Sequence, residues 1–293
     1  MKPAPFKYVE AADEDALATA LADSGDDARL LAGGQSLVPM MNFRVVSPGV
    51  LIDLNRISAL SYIDCGAETL RLGALTRHAM VEDSEAVRRR CPLLSEAIRN
   101  VAHRAIRNRG TAGGTLALAY PGAELPLALM TLSADIHLRS HRGERCVPIE
   151  KFIVGALDTA LADDEYIRAI EIRLPPVGSA ASFVESTRRH GDFAIAAAAV
   201  VAGCDTRGRL THLRAGVSGG TGAPIRLARL EDAVIGGEGR DGAVAEAAGD
   251  AIAAIEVFGD HHYPEDYRRH VLKGLLQRAL KDAIDRSGAR HAQ

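Results

Sequence analysis

Two short stretches carry the residue types from which a phosphate site is built. Leu30 to Arg44 reads LLAGGQSLVPMMNFR, and Arg107 to Pro126 reads RNRGTAGGTLALAYPGAELP. A Gly-Gly pair admits two readings. It can make a tight surface turn, because glycine tolerates positive φ. It can also make a cradle in which consecutive backbone N–H groups converge on an anion with no side chain blocking the approach. Neither stretch has the lysine of a P-loop. One such loop by itself reads as a turn. Two of them, with Gln35-Ser36 after the first pair and Thr115 after the second, offer two banks of N–H donors, as the two halves of a dinucleotide site require.

Other candidates for chemistry are weaker. A formal G-x-G-x-x-G at Gly237, Gly239 and Gly242 follows RLARLEDAVIGG, a helical pattern and not a strand, so it reads as a loop between helices. Cys65, Cys91, Cys146 and Cys204 stand singly, without the C-x-x-C pairs of zinc or iron–sulfur sites, and read as free thiols. His261 and His262 are adjacent and point apart, as ligands to one ion would not. No metal site is expected.

The elements that must position the loops follow from patterning. DEDALATALADSG, with Asp13 as cap and Gly25 as stop, predicts a short helix. ARLLAGG and GVLIDLN predict strands on either side of the first glycine loop, a β-α-β-β unit with the loop at a strand end. PLLSEAIRNVAH predicts a helix opened by Pro92, a second helix spans Gly122 to Ser133, and ADIHLRSHRGERCVPIE predicts a hairpin turning at Arg142-Gly143. A boundary falls at Pro175-Pro176. Beyond it, two strands joined by a turn at Asp205 to Gly208 precede a helical remainder. The last helix carries Tyr267, Val271, Leu272, Leu275, Leu276 and Leu280 as one stripe.

Composition frames these elements. The 293 residues suffice for two or three compact units; 47% are apolar and 25% charged. A net charge of -3 gives no electrostatic reason to expect nucleic acid or an anionic membrane as partner. The longest apolar run, FAIAAAAVVAG, is too short to span a bilayer, and MKPAPFKYVE lacks a signal-peptide core, so a cytoplasmic protein is expected.

The two glycine motifs at this separation, with RRHGDFAIAAAA and YRRHVLKGLLQRAL further on, resemble the FAD-binding medium subunit of molybdenum hydroxylases over essentially the whole chain. That family includes aerobic carbon monoxide dehydrogenase, the flavin domain of xanthine dehydrogenase and bacterial N-heterocycle dehydrogenases. The resemblance implies an α+β fold: a two-part FAD-binding domain of the vanillyl-alcohol-oxidase (PCMH) type over residues 1–176, and a smaller C-terminal domain, an antiparallel sheet with helices, over 177–293. It implies FAD held non-covalently, by Ala32, Gly33, Gly34, Gln35, Ser36 and Leu37 from the first loop and by Thr111, Ala112, Gly113, Gly114 and Thr115 from the second. It further puts Glu124 on the cofactor, Ile167 near the flavin and the Phe193 ring over the isoalloxazine, where several members carry Tyr. The chain departs from the family pattern in two places. Leu118 and Tyr120 stand where its frequent AHADPAAELP has His and Asp, and Val184-Glu185 stand where many members have Lys.

The function so implied is electron relay. With no molybdopterin site or cluster cysteines of its own, the chain would take electrons from an iron–sulfur small subunit and pass them through FAD to an external acceptor. Molybdopterin and [2Fe-2S] clusters would reside in partner subunits, with a molybdenum-cofactor large subunit completing a heterotrimer and the assembly doubled. The rival is a stand-alone FAD-dependent oxidase of the same fold. It would need a base near the flavin and often a covalent His or Cys tether, and the sequence has no motif for either.

Overall fold

A computed structural model describes residues 2–239 and 242–290. The chain opens with β1 (Lys7–Glu10), α1 (Glu14–Ser24), β2 (Ala28–Leu31), α2 (Leu37–Asn42) and β3 (Val50–Asp53). The strands form a parallel sheet in the order β1-β3-β2. Asp13 caps α1 through Oδ1, which accepts from Ala16 N at 2.8 Å, and Gly25 ends it at φ 56°. The unit differs from a plain β-α-β-β run because α2 intervenes after the glycine loop. Parallel neighbours cannot be joined by a hairpin, so the chain must cross over between β2 and β3.

A five-stranded antiparallel sheet follows, in the order β4-β5-β10-β6-β7. It is assembled from β4 (Ile63–Cys65), β5 (Thr69–Gly73), then helices α3 (His78–Asp83), α4 (Glu85–Arg90), α5 (Pro92–Asn100), α6 (Arg104–Arg107), α7 (Ala112–Leu118) and α8 (Glu124–Thr131), then β6 (Asp135–Ser140) and β7 (Gly143–Pro148). After α9 (Ile149–Phe152) come a small hairpin, β8 (Ile153–Gly155) and β9 (Asp158–Thr159), and finally β10 (Tyr166–Arg173). Ser140 pairs with Gly143, so the β6–β7 turn is His141-Arg142, one residue earlier than the glycine suggests. The helix expected over Gly122 to Ser133 is trimmed to α8: Pro121 and Gly122 stay in the preceding loop, and Ser133 turns out of the helix at φ 50°.

The third sheet is antiparallel, β11 (Ala180–Ser186), β12 (Ala196–Cys204), β13 (Leu210–Ser218) and β14 (Ile225–Arg226) in that order, with α10 (Ala228–Val234), α11 (Gly242–Ala253) and α12 (Glu265–Arg290) following. The two-residue alternation of β12 explains its run of alanines. Ala197, Ala199 and Val201 join the core built from α5, α8 and the five-stranded sheet. Ala196, Ala198, Val200 and Ala202 join the one built with Leu272, Leu276 and Leu280 of α12. Helices pack closely on both faces, and small side chains admit them. Tyr267 drops out of the α12 stripe, 44% exposed. Pro175-Pro176 is thus a break in strand continuity and not in packing, since one core runs through residues on both sides of it.

Candidate cofactor site

The two glycine loops, far apart in sequence, lie against one another. The first follows directly from β2, whose Leu31 pairs with Asp53 of β3. The second runs from α6 into α7. A Cβ on Gly33 would collide with the Arg109 carbonyl oxygen and stand 2.9 Å from its carbon, so only glycine allows this backbone contact. Gly34 takes φ +72°, which also favours glycine.

A polar strut braces the pair. Asn55 Nδ2 donates to the Ala32 carbonyl at 3.0 Å, Asn55 Oδ1 accepts from Arg77 Nη2 at 2.6 Å, and Arg77 Nη1 donates to the Arg109 carbonyl. Burial and the neighbouring Arg109 charge lower the Arg77 pKa, a sign of how closely positive groups gather here.

Between the loops opens a cavity of about 400 Å³. Of the residues expected on a cofactor, Ala32, Gly33, Gly34, Gln35, Ser36, Leu37, Thr111, Gly113, Gly114, Thr115 and Ile167 line it. Ile167 reaches it from β10 beside a register shift between Ile167 and Ala169, the kind of bulge that re-aims a side chain. Ala112 is buried and does not line it. Leu118 also lines the cavity, but Glu124 and Phe193 do not.

The loops offer different donors. Among the described residues the N–H groups of Gly33, Gly34, Gln35 and Ser36 have no protein acceptor, and they form a run of adjacent donors suited to an anion. The second loop departs from the expected bank of N–H groups because it spends them internally. Ala112 N donates to Thr76 O at 2.9 Å, Gly113 N to Ala74 O at 2.9 Å, Gly114 N to Thr111 Oγ1 at 3.1 Å, and Thr115 N to Thr111 O at 3.0 Å. What it presents instead are the hydroxyls of Thr111 and Thr115. Beneath them sits His78, 2% exposed, its Nε2 3.1 Å from Thr111 O and 3.0 Å from Thr115 Oγ1. Burial, followed by the charges of Arg107 and Arg77, pushes the His78 pKa down to about 4, so the ring is neutral near pH 7.

Glu124 and Phe193 belong to an adjoining region at the junction with the third sheet. Ala194 N donates to Gly122 O at 3.1 Å and Gly219 N to Pro121 O at 3.2 Å, tying the loop before α8 to that sheet. Phe193 precedes β12 and is 53% exposed; its ring lies 4.2 Å from that of Tyr120. It is therefore not a core residue of the strand. Glu124 opens α8 and is 4% exposed, and burial pushes its carboxyl up to about 7. Glu185, on β11, is pushed up to about 8 by burial and by the Glu124 charge, and its Oε2 is buried with no hydrogen-bond partner among the described residues. Two carboxyls that resist ionisation thus lie within electrostatic reach of one another, one opening α8 and one on β11.

Sequence reasoning missed Asn55, Arg77 and His78, and the wall formed by Thr159, Leu161, Ala162, Asp163, Glu165 and Tyr166. The usable signal was position, since Asn55 follows β3 and Arg77-His78 follow β5, the strand ends nearest the loops. Among the described residues there is no group of His, Cys, Asp and Glu able to hold a metal and no helix long and apolar enough to cross a membrane.

Two glycine loops closing on one cavity, with anion donors on one side and hydroxyls on the other, have the chemistry to hold a nucleotide cofactor, and comparison with known proteins gives the family. Residues 4–175 match the FAD binding domain in molybdopterin dehydrogenase, and residues 181–283 match the CO dehydrogenase flavoprotein C-terminal domain; the chain belongs to this family. Among particular proteins, it is 39% identical to the 6-hydroxypseudooxynicotine dehydrogenase complex subunit alpha of Paenarthrobacter nicotinovorans, over 98% of this chain and 97% of that one. It is 36% identical to the caffeine dehydrogenase subunit beta of a Pseudomonas species, again over 98% and 97%. The structure of carbon monoxide dehydrogenase from Hydrogenophaga pseudoflava superposes with a TM-score of 0.94 at 34% identity, covering 98% of this chain and 99% of that one.

Proposed function

We propose that the chain is the FAD-binding electron-transfer subunit of a molybdenum hydroxylase, taking electrons from an iron–sulfur small subunit and passing them to an external acceptor. The single observation that carries the reading is the cavity between the two loops. The unpartnered N–H groups of Gly33 to Ser36 face the Thr111 and Thr115 hydroxyls across it, a donor set that fits a pyrophosphate. FAD, when bound, supplies the exchange between two-electron and one-electron transfer; the chain's residues bind and orient it.

In this reading residues 1–176 are a PCMH-type domain and 177–293 the C-terminal domain. Ala32 to Leu37 and Thr111 to Thr115 hold the pyrophosphate, and Ile167 lies beside the flavin. Glu124, whose carboxyl burial pushes up to about 7, can donate a hydrogen bond at the cofactor when it holds its proton, whereas an ionised carboxylate could only accept. Molybdopterin and [2Fe-2S] clusters sit in partner subunits, in a cytoplasmic dimer of heterotrimers. Relatives named as subunits of dehydrogenase complexes support this reading over a stand-alone oxidase.

The test is redox isolation. Purified chain loaded with FAD is expected to bleach with dithionite but not with purine, N-heterocycle or aldehyde substrates until the iron–sulfur and molybdenum partners are added. Rapid bleaching by a substrate with this chain alone would establish the oxidase instead.

Phe193 gives a second expectation. In this reading its exposed ring, backed by Tyr120, shields a flavin edge without donating a hydrogen bond. Phe193→Ala should keep FAD and lose less than about 1 kcal/mol of stability, since little buried surface is removed. It should also change the rate of flavin reoxidation by oxygen several-fold in stopped flow. A reoxidation rate equal to wild type would remove Phe193 from the site.

A further inference from the structure

The second glycine loop has used its N–H groups on itself, so what it offers a ligand depends on where its hydroxyl protons point. Thr115 Oγ1 lines the cavity, and its one hydrogen-bond partner among the described residues is His78 Nε2, at 3.0 Å. The same nitrogen lies 3.1 Å from the Thr111 carbonyl oxygen, which can only accept. A neutral imidazole carries one N–H. With the hydrogen on Nδ1, a buried donor would be left without an acceptor, since Nδ1 has no partner among the described residues. Two acceptors, Nε2 and Thr111 O, would also face each other. With the hydrogen on Nε2 it is shared by Thr111 O and Thr115 Oγ1, and only a bare nitrogen lone pair goes unpaired, which costs far less. The ring is held in this orientation by its own backbone, His78 N donating to Gly110 O at 3.0 Å, and by Gly110, on which a Cβ would stand 3.0 Å from Nδ1.

We propose that His78 is a positioning residue of the cofactor site: its Nε2–H occupies Thr115 Oγ1 as an acceptor, which leaves the Thr115 hydroxyl proton as a donor to a phosphate oxygen in the cavity. The inference rests on the reading that the cavity takes FAD. It assigns the histidine no contact with the cofactor. Thr115 supplies the bond, and His78 sets its polarity. A hydroxyl so oriented gives the second loop a donor in place of the N–H groups it has spent.

The test is the FAD dissociation constant of the full chain, from flavin fluorescence, with the thermal midpoint of each variant alongside. A hydrogen bond to a charged group corresponds to roughly a tenfold to hundredfold change in affinity. His78→Leu and Thr115→Val should each weaken binding by about that factor. The double variant should bind within about threefold of Thr115→Val, because both changes remove the same donor. His78→Gln, whose amide nitrogen reaches the place of Nε2, should bind like wild type. His78→Asn, as polar but with its nitrogen at the place of Nδ1, should bind like His78→Leu. That Gln/Asn contrast keeps the test decisive if the leucine variant folds poorly. Wild-type affinity in His78→Asn, or losses that multiply in the double variant, would overturn the inference while leaving the FAD reading intact. A wild-type chain that binds no FAD would overturn the reading itself and this inference with it.

Discussion

A chain carrying Gly33→Val is expected to lose FAD altogether. The reason is the contact between the two loops. A Cβ at Gly33 would collide with the Arg109 carbonyl oxygen, and both the Arg109 carbonyl carbon and Gly110 Cα lie within 3.0 Å of it. These are backbone atoms and cannot swing aside, so the loops must separate. Separation also pulls Ala32 away from Arg109, the two carbonyls that the Asn55–Arg77 strut ties together. Overpacking of this kind costs about 1–3 kcal/mol, which a domain of this size survives, so the protein should fold and elute colourless. Gly114→Val should act differently: its Cβ would meet Thr111 Oγ1 at 2.8 Å and displace the hydroxyl that caps α7. Gly34→Val strains the backbone, because a β-branched residue tolerates φ +72° poorly. Flavin content per chain, measured after gel filtration beside a circular dichroism spectrum, decides the matter. A Gly33→Val protein with full flavin content would mean that the loops do not need to touch.

Glu185→Gln should stabilise the purified chain in alkali and leave it unchanged in acid. The ordinary glutamate carboxyl ionises near 4.5, whereas burial, then the Glu124 charge, pushes Glu185 up to about 8. Between these values the folded chain holds a proton that the unfolded chain has lost. Stability therefore falls as pH rises through this window and is level above it. Glutamine cannot ionise, so its variant escapes that fall. Glu185 is only partly buried, and solvent screening around it limits the gain to about 2 kcal/mol at pH 9, or roughly 5 °C in thermal midpoint. Below about pH 4.5 both side chains are neutral and the midpoints should converge. Glu124, raised to about 7, keeps its own fall in either protein. Parallel midpoint curves for wild type and variant from pH 5 to 9 would show that Glu185 ionises normally. The outcome matters for the Glu124 region, because Glu185 lies within electrostatic reach of that carboxyl.

What the amino-acid sequence determined by itself is what depends on neighbours in the chain. Asp13 and Gly25 bound α1, Pro92 opens α5, the Pro175-Pro176 pair breaks the strand, and the Asp205 to Gly208 turn joins β12 to β13. Each of these is settled by a cap, a fixed φ or a turn within a few residues. The two Gly-Gly pairs were legible for the same reason, since glycine's freedom is a property of one residue. The tertiary structure alone decided what those glycines do. Gly33 is required by the backbone of Arg109, far along the chain, and the second loop's N–H groups are consumed by Ala74 and Thr76 at the end of β5. His78 and Asn55 carry no local mark, because a hydrogen bond to a remote loop leaves no period or spacing in the sequence. Phe193 shows the limit most directly. Its apolar neighbours in FAIAAAAV read as one buried strand, yet β12 begins at Ala196 and the ring stands outside it on Tyr120. Hydrophobic pattern specifies that a face is to be covered, and only the packing of the sheets specifies which residue is left uncovered beside a site.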